Sequence, residues 1–336
     1  MVSKQKIIKN IPSVLKTVNL PIKFGKKYQG KVRDVYITGD PSTSSGQAKR
    51  IIITTDRQSA FDRILGHIPF KGQVLTQLSE FWFDKTKKIV ENHLIATPDP
   101  NTMVVKECKL IPVEMVVRGY LTGVTSTSTW TAYEKGERII YGIKFPNGMK
   151  KNQKMQKPII TPTTKADLGK HDEKLTRKDI IKSKLIPEKL YQQMEKASLA
   201  LFDKGTKICA KAGIILVDTK YEFGLYPADG RGKLMLIDEI HTPDSSRFWK
   251  KDSYKERFKK GLEPENFDKE FLRIWFKERG FSGEGKIPKM PDDFVAKVSE
   301  RYQKIYEMIT GKKFKGDASG EVSKRVIKNL KNFFSL

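Results

Sequence analysis

The segment 214–240 constrains the fold of this chain more than any other segment, because it predicts a β-hairpin. Two strand-like runs are joined by residues 227–232, which are rich in proline, glycine and aspartate and favour a turn. In the first run Asp218, Lys220 and Glu222 alternate with mostly apolar residues, namely Ile215, Val217, Tyr221, Phe223 and Leu225. Successive strand residues face opposite sides of a sheet, so the three charged side chains share one face.

The second run of the hairpin carries another carboxylate. If the two strands pair around Gly230, Glu222 lies opposite Asp238, and cross-strand partners stand about 5 Å apart. Two carboxylates at that distance repel each other unless a cation lies between them. Magnesium on nucleotide phosphates is typically held by one or two carboxylates, so the pair predicts a magnesium site. The alternative is an exposed hairpin whose charges face solvent, and a slip of one residue would remove the pairing.

A short basic run near the N-terminus could bind phosphates. In residues 30–36, alternation points Lys31 and Arg33 to one face, and Gly30 lets the backbone approach a ligand. The run is not a Walker A loop, however, and many edge strands carry basic residues. An ordinary edge strand therefore stays open as the alternative.

Two arginines are followed or preceded by hydroxyl-bearing residues. Arg118 ends a strand-like run and precedes a stretch rich in threonine and serine, residues 122–129. Arg247 follows Ser246 in the run 241–248, which repeats that composition. Arginine with hydroxyl groups suits a phosphate monoester, although each run could equally be a turn or a helix cap.

The periodicity of the remaining chain predicts a mixed α/β fold with antiparallel sheets. We expect strands at 32–37, 50–55, 103–105 and 113–117, helices at about 73–93 and from Pro187 to Gly213, and a mainly helical chain beyond Trp249. Residues 144–174 carry several prolines and glycines and read as one long loop. A loop of that length in a compact protein is usually functional or mobile.

The length of 336 residues and the hydrophobic content of 38% predict two closely packed lobes. We place a β-rich N-terminal lobe at 1–110 and an α/β lobe at 111–336, which is helical after about residue 250. The two cysteines, Cys108 and Cys209, are too few for a disulfide framework and favour a reducing, cytoplasmic setting. No apolar run reaches the roughly 18 residues that a membrane span needs.

The formal net charge of +26 favours anionic partners. The lysines fall in three separate clusters with almost no interleaved aromatic residues, which favours a solvated basic surface over a nucleic-acid platform. A basic nucleic-acid-binding protein stays open as an alternative. Residues 1–33 contain no acidic residue and weakly resemble a transit peptide, although they are rich in lysine rather than arginine.

Six segments, in the same order along the chain, resemble the phosphoribosylaminoimidazole-succinocarboxamide synthase (SAICAR synthetase) family. They are GKVRDVY at 30, TDRQSAFDR at 55, PVEMVVRGYLTG at 112, TPTTKADLGKHDE at 161, VDTKYEFG at 217 and IDEIHTPDSSRFW at 237. The resemblance implies a two-lobed α/β fold related to ATP-grasp and kinase-like enzymes, with ATP and Mg²⁺ bound between the lobes. The small-molecule substrates would be ATP, aspartate and an imidazole ribonucleotide, with neither a membrane nor a nucleic acid as partner.

The same resemblance implies roles for individual residues. ATP phosphates would meet Lys31, Arg33 and Lys165, and Mg²⁺ would be held by Glu222 and Asp238. The phosphorylated imidazole would be bound by Ser59, Asp62, Lys71, Arg118, Ser246 and Arg247, with Asp218 and Lys220 as catalytic residues near its reacting end. His171 and Asp172 would reach the site when the long loop closes.

The implied reaction is an ATP-dependent ligation in purine biosynthesis. ATP would phosphorylate the imidazole carboxylate, and the amino group of aspartate would displace phosphate from the acyl phosphate to give the succinocarboxamide. Positioning and electrostatic stabilisation would supply most of the catalysis. Another ATP-dependent carboxylate-amine ligase, with a different acyl acceptor, stays open as the alternative within enzymes.

Overall fold

Two antiparallel sheets organise the chain. A computed structural model describes them over residues 1–39, 48–125, 127–165, 173–227, 232–318 and 320–336. The first part of the chain forms α1 (Lys4–Lys9), β1 (Lys26–Gln29), β2 (Arg33–Thr38), β3 (Lys49–Thr54), β4 (Arg57–Ala60), β5 (Arg63–His67), α2 (Lys71–Thr86), β6 (Leu94–Asp99) and β7 (Thr102–Lys106). The N-terminal sheet has the order β1-β2-β3-β7-β6, while β4 and β5 form a separate hairpin.

The second sheet follows directly. Its part of the chain contains β8 (Lys109–Leu110), β9 (Val113–Leu121), α3 (Thr129–Glu134), β10 (Ile139–Ile140), β11 (Ile143–Lys144), β12 (Gln153–Ile160), β13 (Thr163–Thr164), α4 (Arg177–Lys182), α5 (Glu188–Lys211), β14 (Ile214–Tyr226), β15 (Lys233–Ile237) and β16 (Ser246–Lys250). The order β12-β9-β14-β15 forms this central sheet, with β13 paired to β9 and with β8 and β16 paired to β14. The long strand β14 is therefore the centre of the fold.

The rest of the chain is largely helical, as the sequence predicts. It forms α6 (Lys251–Lys259), α7 (Glu270–Lys277), α8 (Asp292–Thr310) and α9 (Val322–Phe334). Helix α8 packs against α1 and α2. Helix α9 returns to the N-terminal sheet, where Val326 and Leu330 pack against Ile51, Ile53 and Val104. None of the helices in the described part of the chain has the length and apolar character that crossing a bilayer requires.

Most of the predicted elements are confirmed, but the helix predicted at 73–93 ends earlier. Helix α2 ends at Thr86 because the following residues join both sheets. The amide of His93 donates to the carbonyl of Leu236 in β15, and the carbonyl of His93 accepts from the amide of Lys106 in β7. The chain therefore leaves the helix at this point, although the apolar periodicity continues, because its backbone forms hydrogen bonds with two sheets.

The prediction of one long loop over 144–174 is wrong for residues Gln153–Ile160, which form the edge strand β12. Its alternation is weak because only Met155 is buried and most of its other side chains are exposed. The pairing with β9 also shifts register between Lys154 and Ile159, around Pro158. A proline is tolerated at an edge or a bulge because no ladder hydrogen bond is needed there. Residues 166–172, which include His171 and Asp172, lie outside the described residues.

A buried ion pair fastens α9 to the N-terminal sheet. The Arg325 guanidinium donates to both carboxylate oxygens of Asp99, at 2.9 and 3.2 Å, and to the side-chain oxygen of Asn101 at 2.6 Å. The side chain of Asp99 has no solvent exposure. Removing one partner of a buried pair leaves an uncompensated charge.

We therefore expect Arg325→Ala to lower the free energy of unfolding by about 3–5 kcal/mol. Urea unfolding followed by circular dichroism measures the change. Lys324→Ala is the matched control, because its exposed ammonium pairs only with the exposed Glu321 among the described residues. The control should stay within about 0.5 kcal/mol of the wild type, and an equal effect of both substitutions would contradict a role for the buried pair.

Candidate active site

A cavity of about 130 Å³ lies between the N-terminal and central sheets, and we call it the inter-sheet cavity. It is lined by Arg33, Val35, Arg50, Ile52, His93, Lys106, Cys108, Leu110, Lys165, Glu222, Ile237 and Asp238. The residues from β2 and β3 form one wall, and those from β14 and β15 form the other. The structure thus brings together four residues that the sequence predicts for one ligand, namely Arg33, Lys165, Glu222 and Asp238.

The predicted cross-strand pair of carboxylates is wrong in its register. Glu222 lies opposite Ile237, so the turn between Tyr226 and Lys233 contains an even number of residues and is not centred on Gly230. Asp238 lies just beyond β15 with a left-handed φ of 66°. This backbone conformation suits aspartate and asparagine better than most residues. The two carboxylates therefore face one cavity although they are not cross-strand partners.

Arg33 forms ion pairs with two acidic residues beside this cavity. Its guanidinium lies 2.8 Å from Asp238 and 2.9 Å from Glu239. Burial opposes the charge of Arg33, yet Asp238 and Glu239 offset it, and the pKa of the guanidinium rises above its usual range. The Nε atom is buried and has no hydrogen-bond partner among the described residues. A donor of this kind is suited to an anionic ligand.

Glu222 connects two lysines. Its carboxylate contacts the ammonium of Lys165 and accepts a hydrogen bond of 2.8 Å from Lys220. Burial alone would raise the pKa of Glu222, but Lys220 and Lys165 hold it well below the ordinary value. Lys220 also donates to Glu114 at 2.6 Å. Burial opposes its charge as well, and the carboxylates of Glu222 and Glu114 nevertheless keep its pKa well above the ordinary value.

A second cavity, of about 200 Å³, lies on the other side of Lys220, and we call it the arginine cavity. It is lined by Val116, Arg118, Thr125, Thr127, Asp218, Thr219, Lys220, Pro243, Asp244, Ser245, Ser246, Arg247, Asp268, Lys269 and Arg273. In the sheet, Asp218 is paired with both Arg118 of β9 and Arg247 of β16. The two arginines that the sequence singles out therefore meet across β14.

The guanidinium groups of the arginine cavity have unused donors. The side chain of Asp218 accepts from Arg247 and lies 3.7 Å from Arg118. The Nε atoms of Arg247 and Arg273 are buried without a hydrogen-bond partner among the described residues. Ser246 stands beside them and donates its hydroxyl to Thr219 at 2.7 Å. Unused arginine donors beside hydroxyl groups suit a phosphate or a carboxylate.

Four of the predicted site residues lie outside the walls of both cavities. Lys31 forms an ion pair with Asp62, next to the β4–β5 hairpin that carries the buried Ser59. Lys71 is fully buried at the start of α2 and lies 2.8 Å from Asp244. Its ammonium therefore acts on the arginine cavity through Asp244.

The sequence reasoning missed several residues of the arginine cavity. Asp244 lies in a segment that was singled out, but its role as the partner of Lys71 could not be seen without the fold. Lys269 and Arg273 come from the region after Trp249, for which the sequence predicts helices but no site residue. A weak signal did exist, because Asp268, Lys269 and Arg273 form a charged group at the start of α7, a helix that is otherwise apolar on one side.

His241 is a buried packing residue. Its Nε2 atom lies 2.5 Å from the hydroxyl of Tyr221, and its ring packs edge-on against Trp82. The close approach of Gly205 explains the glycine there, because a Cβ atom would lie 2.3 Å from the histidine ring. Burial lowers the pKa of His241 to about 3, so the folded protein keeps this ring neutral.

The low pKa of His241 predicts a loss of stability at acidic pH. Between about pH 3 and 6.5 the unfolded chain binds a proton that the folded protein does not. The contribution of neutral His241 to the free energy of unfolding is therefore complete above about pH 6.5 and decreases as the pH falls. Relative to His241→Asn, the wild type should lose about 1.4 kcal/mol between pH 7.5 and 5.5. Urea unfolding at both pH values measures this, and a constant difference would contradict it.

The inter-sheet cavity has the donor set that Mg²⁺ prefers. Its carboxylates are Glu222 and Asp238. Burial raises the pKa of the Cys108 thiol to about 12, so it stays protonated and is no competing ligand. No cluster of three potential metal ligands occurs within the described ranges. Two carboxylates, completed by phosphate oxygens and water, are what a magnesium–nucleotide complex needs.

The fold places side by side two cavities whose charged linings suit anionic ligands. One cavity carries carboxylates and cations, the neighbouring one is rich in arginine, and the Lys220–Glu222 pair connects them. A sequence profile of SAICAR synthetase matches residues 26–290. The chain belongs to the SAICAR synthetase family.

Individual relatives agree with this assignment. A phosphoribosylaminoimidazole-succinocarboxamide synthase from Legionella pneumophila is 47% identical over 325 residues, which cover 96% of this chain and 99% of the relative. The structure of the Saccharomyces cerevisiae SAICAR synthase complexed with SAICAR has a TM-score of 0.74 and 34% identity, over 89% of this chain and 99% of the other. A SAICAR synthetase in complex with ADP has a TM-score of 0.63 and 25% identity, over 86% of this chain and all of the other.

The family assignment confirms the predicted α/β fold with antiparallel sheets and C-terminal helices. It also confirms the prediction of an ATP-dependent ligase that joins aspartate in purine biosynthesis. The alternatives, a different ligase and a basic nucleic-acid-binding protein, find no support in these relatives.

Proposed function

We propose that the inter-sheet cavity binds ATP with Mg²⁺ and that the arginine cavity binds the imidazole ribonucleotide. The position of Lys220 carries this proposal. Its ammonium lines the arginine cavity and donates to Glu222, which lines the inter-sheet cavity. The γ-phosphate of ATP and the imidazole carboxylate would therefore meet near one cation, which is where negative charge must be neutralised during phosphoryl transfer.

In the inter-sheet cavity, Arg33 and Lys165 would bind nucleotide phosphates, and Lys31 would approach from the hairpin side. Glu222 and Asp238 would hold Mg²⁺, exchanging part of their contacts with Lys165 and Arg33 for the metal. When bound, Mg²⁺ neutralises charge on the transferred phosphoryl group. Glu222 and Asp238 can share a metal ion although they are not cross-strand partners, because both carboxylates line the same cavity.

In the arginine cavity, Arg118, Ser246 and Arg247 would bind the phosphate of the ribonucleotide. Asp218, which the resemblance assigns to the reacting end, contacts both arginines and would therefore orient their guanidinium groups beside the phosphate and contact the bound substrate there. Lys220 would bind the imidazole carboxylate at the opposite end. Ser59, Asp62 and Lys71 would support these walls from the β4–β5 hairpin and the start of α2.

The reaction would then proceed in two steps. An oxygen of the imidazole carboxylate attacks the γ-phosphorus of ATP, and ADP leaves. The amino group of aspartate attacks the carbonyl carbon of the acyl phosphate, and the C–O bond breaks to release phosphate. Lys220 would stabilise charge in both steps, because it keeps its proton beside Glu222 and Glu114.

The lobe division and the location of the protein belong to the same proposal. Residues 1–110 would form the lobe that contributes to ATP binding, and 111–336 the lobe with the substrate and metal sites. A cytoplasmic location would fit the two buried cysteines, which are not joined in a disulfide. Fractionation of cells that produce the full chain, with a fluorescent tag at its C-terminus, tests the location.

Phosphate release from ATP tests the proposed function. The complete assay contains Mg²⁺, aspartate and the carboxyaminoimidazole ribonucleotide, and each component is omitted in turn. Release that needs all components supports the proposal. Release without the ribonucleotide would contradict the assignment of the arginine cavity, and undiminished release after chelation of Mg²⁺ would contradict the metal site.

A further inference from the structure

The arginine cavity contains more cations than the imidazole ribonucleotide has anionic groups. At one end Arg118 and Arg247 share Asp218, and this end suits the phosphate. At the other end Lys220 faces the inter-sheet cavity and suits the imidazole carboxylate. These contacts account for both anionic groups of the ribonucleotide. Lys269 and Arg273, which also line the cavity, remain without an assigned ligand.

Lys269 belongs to a buried group with an excess of positive charge. Its ammonium lies 3.0 Å from the Asp244 carboxylate, and the ammonium of Lys71 lies 2.8 Å from the same carboxylate. Within the described ranges, Asp244 is the one carboxylate that forms a salt bridge with either lysine. The hydroxyl of Tyr302 also donates to Asp244, at 2.7 Å. Two ammonium groups thus share one carboxylate in a buried place.

The excess charge makes this group a site for an anion. A buried charge without compensation is costly, and a bound carboxylate would remove the cost. Burial lowers the pKa of Lys269 to about 8, although Asp244 opposes the shift. Lys71 is fully buried, whereas the side chain of Lys269 is 12% exposed and lines the cavity. Lys269 is therefore the member of the group that a ligand can reach.

The segment that carries Asp244, the partner of Lys269, also contacts the strand that carries Lys220. The backbone amide of Lys220 donates to the carbonyl of Ser245, the residue after Asp244, at 3.1 Å. An anion bound by Lys269 would consequently share one cavity with Lys220 and with the imidazole carboxylate that Lys220 would bind.

We propose that Lys269 binds a carboxylate of the aspartate co-substrate, and that Asp244, Lys71 and Tyr302 position its ammonium. Aspartate supplies a carboxylate for the cation that the ribonucleotide leaves without a ligand. Its amino group must also reach the reacting carbon. The proposal rests on the proposed function, because it takes the binding of the ribonucleotide phosphate and carboxylate as given.

Initial-rate kinetics of Lys269→Met test the proposal, since methionine keeps the unbranched apolar stem, one atom shorter, and removes the charge. Aspartate, ATP and the ribonucleotide are each varied with the others saturating. We expect the KM for aspartate to rise by about 10- to 100-fold, the loss of one charged hydrogen bond. The KM values for ATP and the ribonucleotide should change by less than about twofold. Lys269→Arg, which keeps the charge, should recover part of the affinity.

Lys277→Met is the matched control, because Lys277 is exposed at the other end of α7. It should leave all three KM values unchanged. An unchanged KM for aspartate in Lys269→Met would overturn the proposal, and so would a rise confined to the ribonucleotide, which would make Lys269 part of the phosphate site. A wild-type enzyme that needs no ribonucleotide would instead overturn the proposed function itself, and this inference with it.

A second measurement needs no variant and does not depend on how Lys269→Met folds. Reductive methylation of the wild-type enzyme, read by mass spectrometry, reports how accessible Lys269 is. Aspartate added to the enzyme with the ribonucleotide and a non-hydrolysable ATP analogue should slow the methylation of Lys269 but not that of Lys277. Equal methylation with and without aspartate would overturn the proposal.

Discussion

Replacing Asp238 by asparagine is expected to lower kcat by about 100-fold or more while the protein still folds. The substitution removes a charge that would hold Mg²⁺ and that pairs with Arg33 at 2.8 Å. Folding should survive because Arg33 keeps Glu239 at 2.9 Å, and because asparagine accepts the left-handed backbone at this position, where φ is 66°. Phosphate release measured over a range of Mg²⁺ concentrations separates metal binding from the later steps.

Asp84→Asn is the control for this substitution. Asp84 is an exposed aspartate on α2 that pairs with Lys87 on the surface. It should keep kcat within about twofold, as is usual for surface substitutions. Near-normal turnover of Asp238→Asn at limiting Mg²⁺ would contradict the assignment of Asp238 to the metal site. A large fall in the unfolding midpoint would attribute the loss to the fold instead.

Replacing Arg247 by alanine is expected to raise the KM for the imidazole ribonucleotide by about 100-fold, with a smaller effect on kcat. The substitution removes a guanidinium that pairs with Asp218 and whose buried Nε donor has no partner among the described residues. A charged hydrogen bond to a phosphate contributes about 1.5–3 kcal/mol, which corresponds to a change of one to two orders of magnitude in affinity. Initial rates with the ribonucleotide varied measure the effect.

Arg279→Ala is the matched control, because this arginine lies on the surface after α7, stacked over Trp275. Its substitution should leave the KM for the ribonucleotide unchanged. An unchanged KM in Arg247→Ala would contradict the phosphate site. A rise in the KM for aspartate alone would assign Arg247 to the binding of aspartate instead.

The sequence predicts the parts of the site that alternate along strands. Asp218, Lys220 and Glu222 share one face of β14, as period-two alternation requires, and all three line a cavity. The charge pattern is sufficient to predict their common face, because a strand places every second residue on the same face. Arg118 and Arg247 were also found from local composition, although their meeting across Asp218 depends on sheet order.

The sequence could not predict features that depend on a loop or on distant packing. The predicted register of the hairpin is wrong by one residue. Register depends on the turn at 227–232, and the alternation of the strands does not determine the conformation of that turn. The edge strand β12 was missed because its side chains are mostly exposed and alternate weakly. Lys71, Asp244 and Lys269 are far apart in sequence, so their common buried group follows only from the packing of α2, α7 and α8.

The measurement that tests the central claim most directly is the transfer of oxygen from the imidazole carboxylate to phosphate. The ribonucleotide is labelled with ¹⁸O in its carboxylate, and the phosphate released in the presence of ATP, Mg²⁺ and aspartate is analysed by mass spectrometry. A route through an acyl phosphate predicts one ¹⁸O atom in each phosphate, because the C–O bond breaks when the amine of aspartate attacks. Unlabelled phosphate, released together with the succinocarboxamide product, would contradict the account.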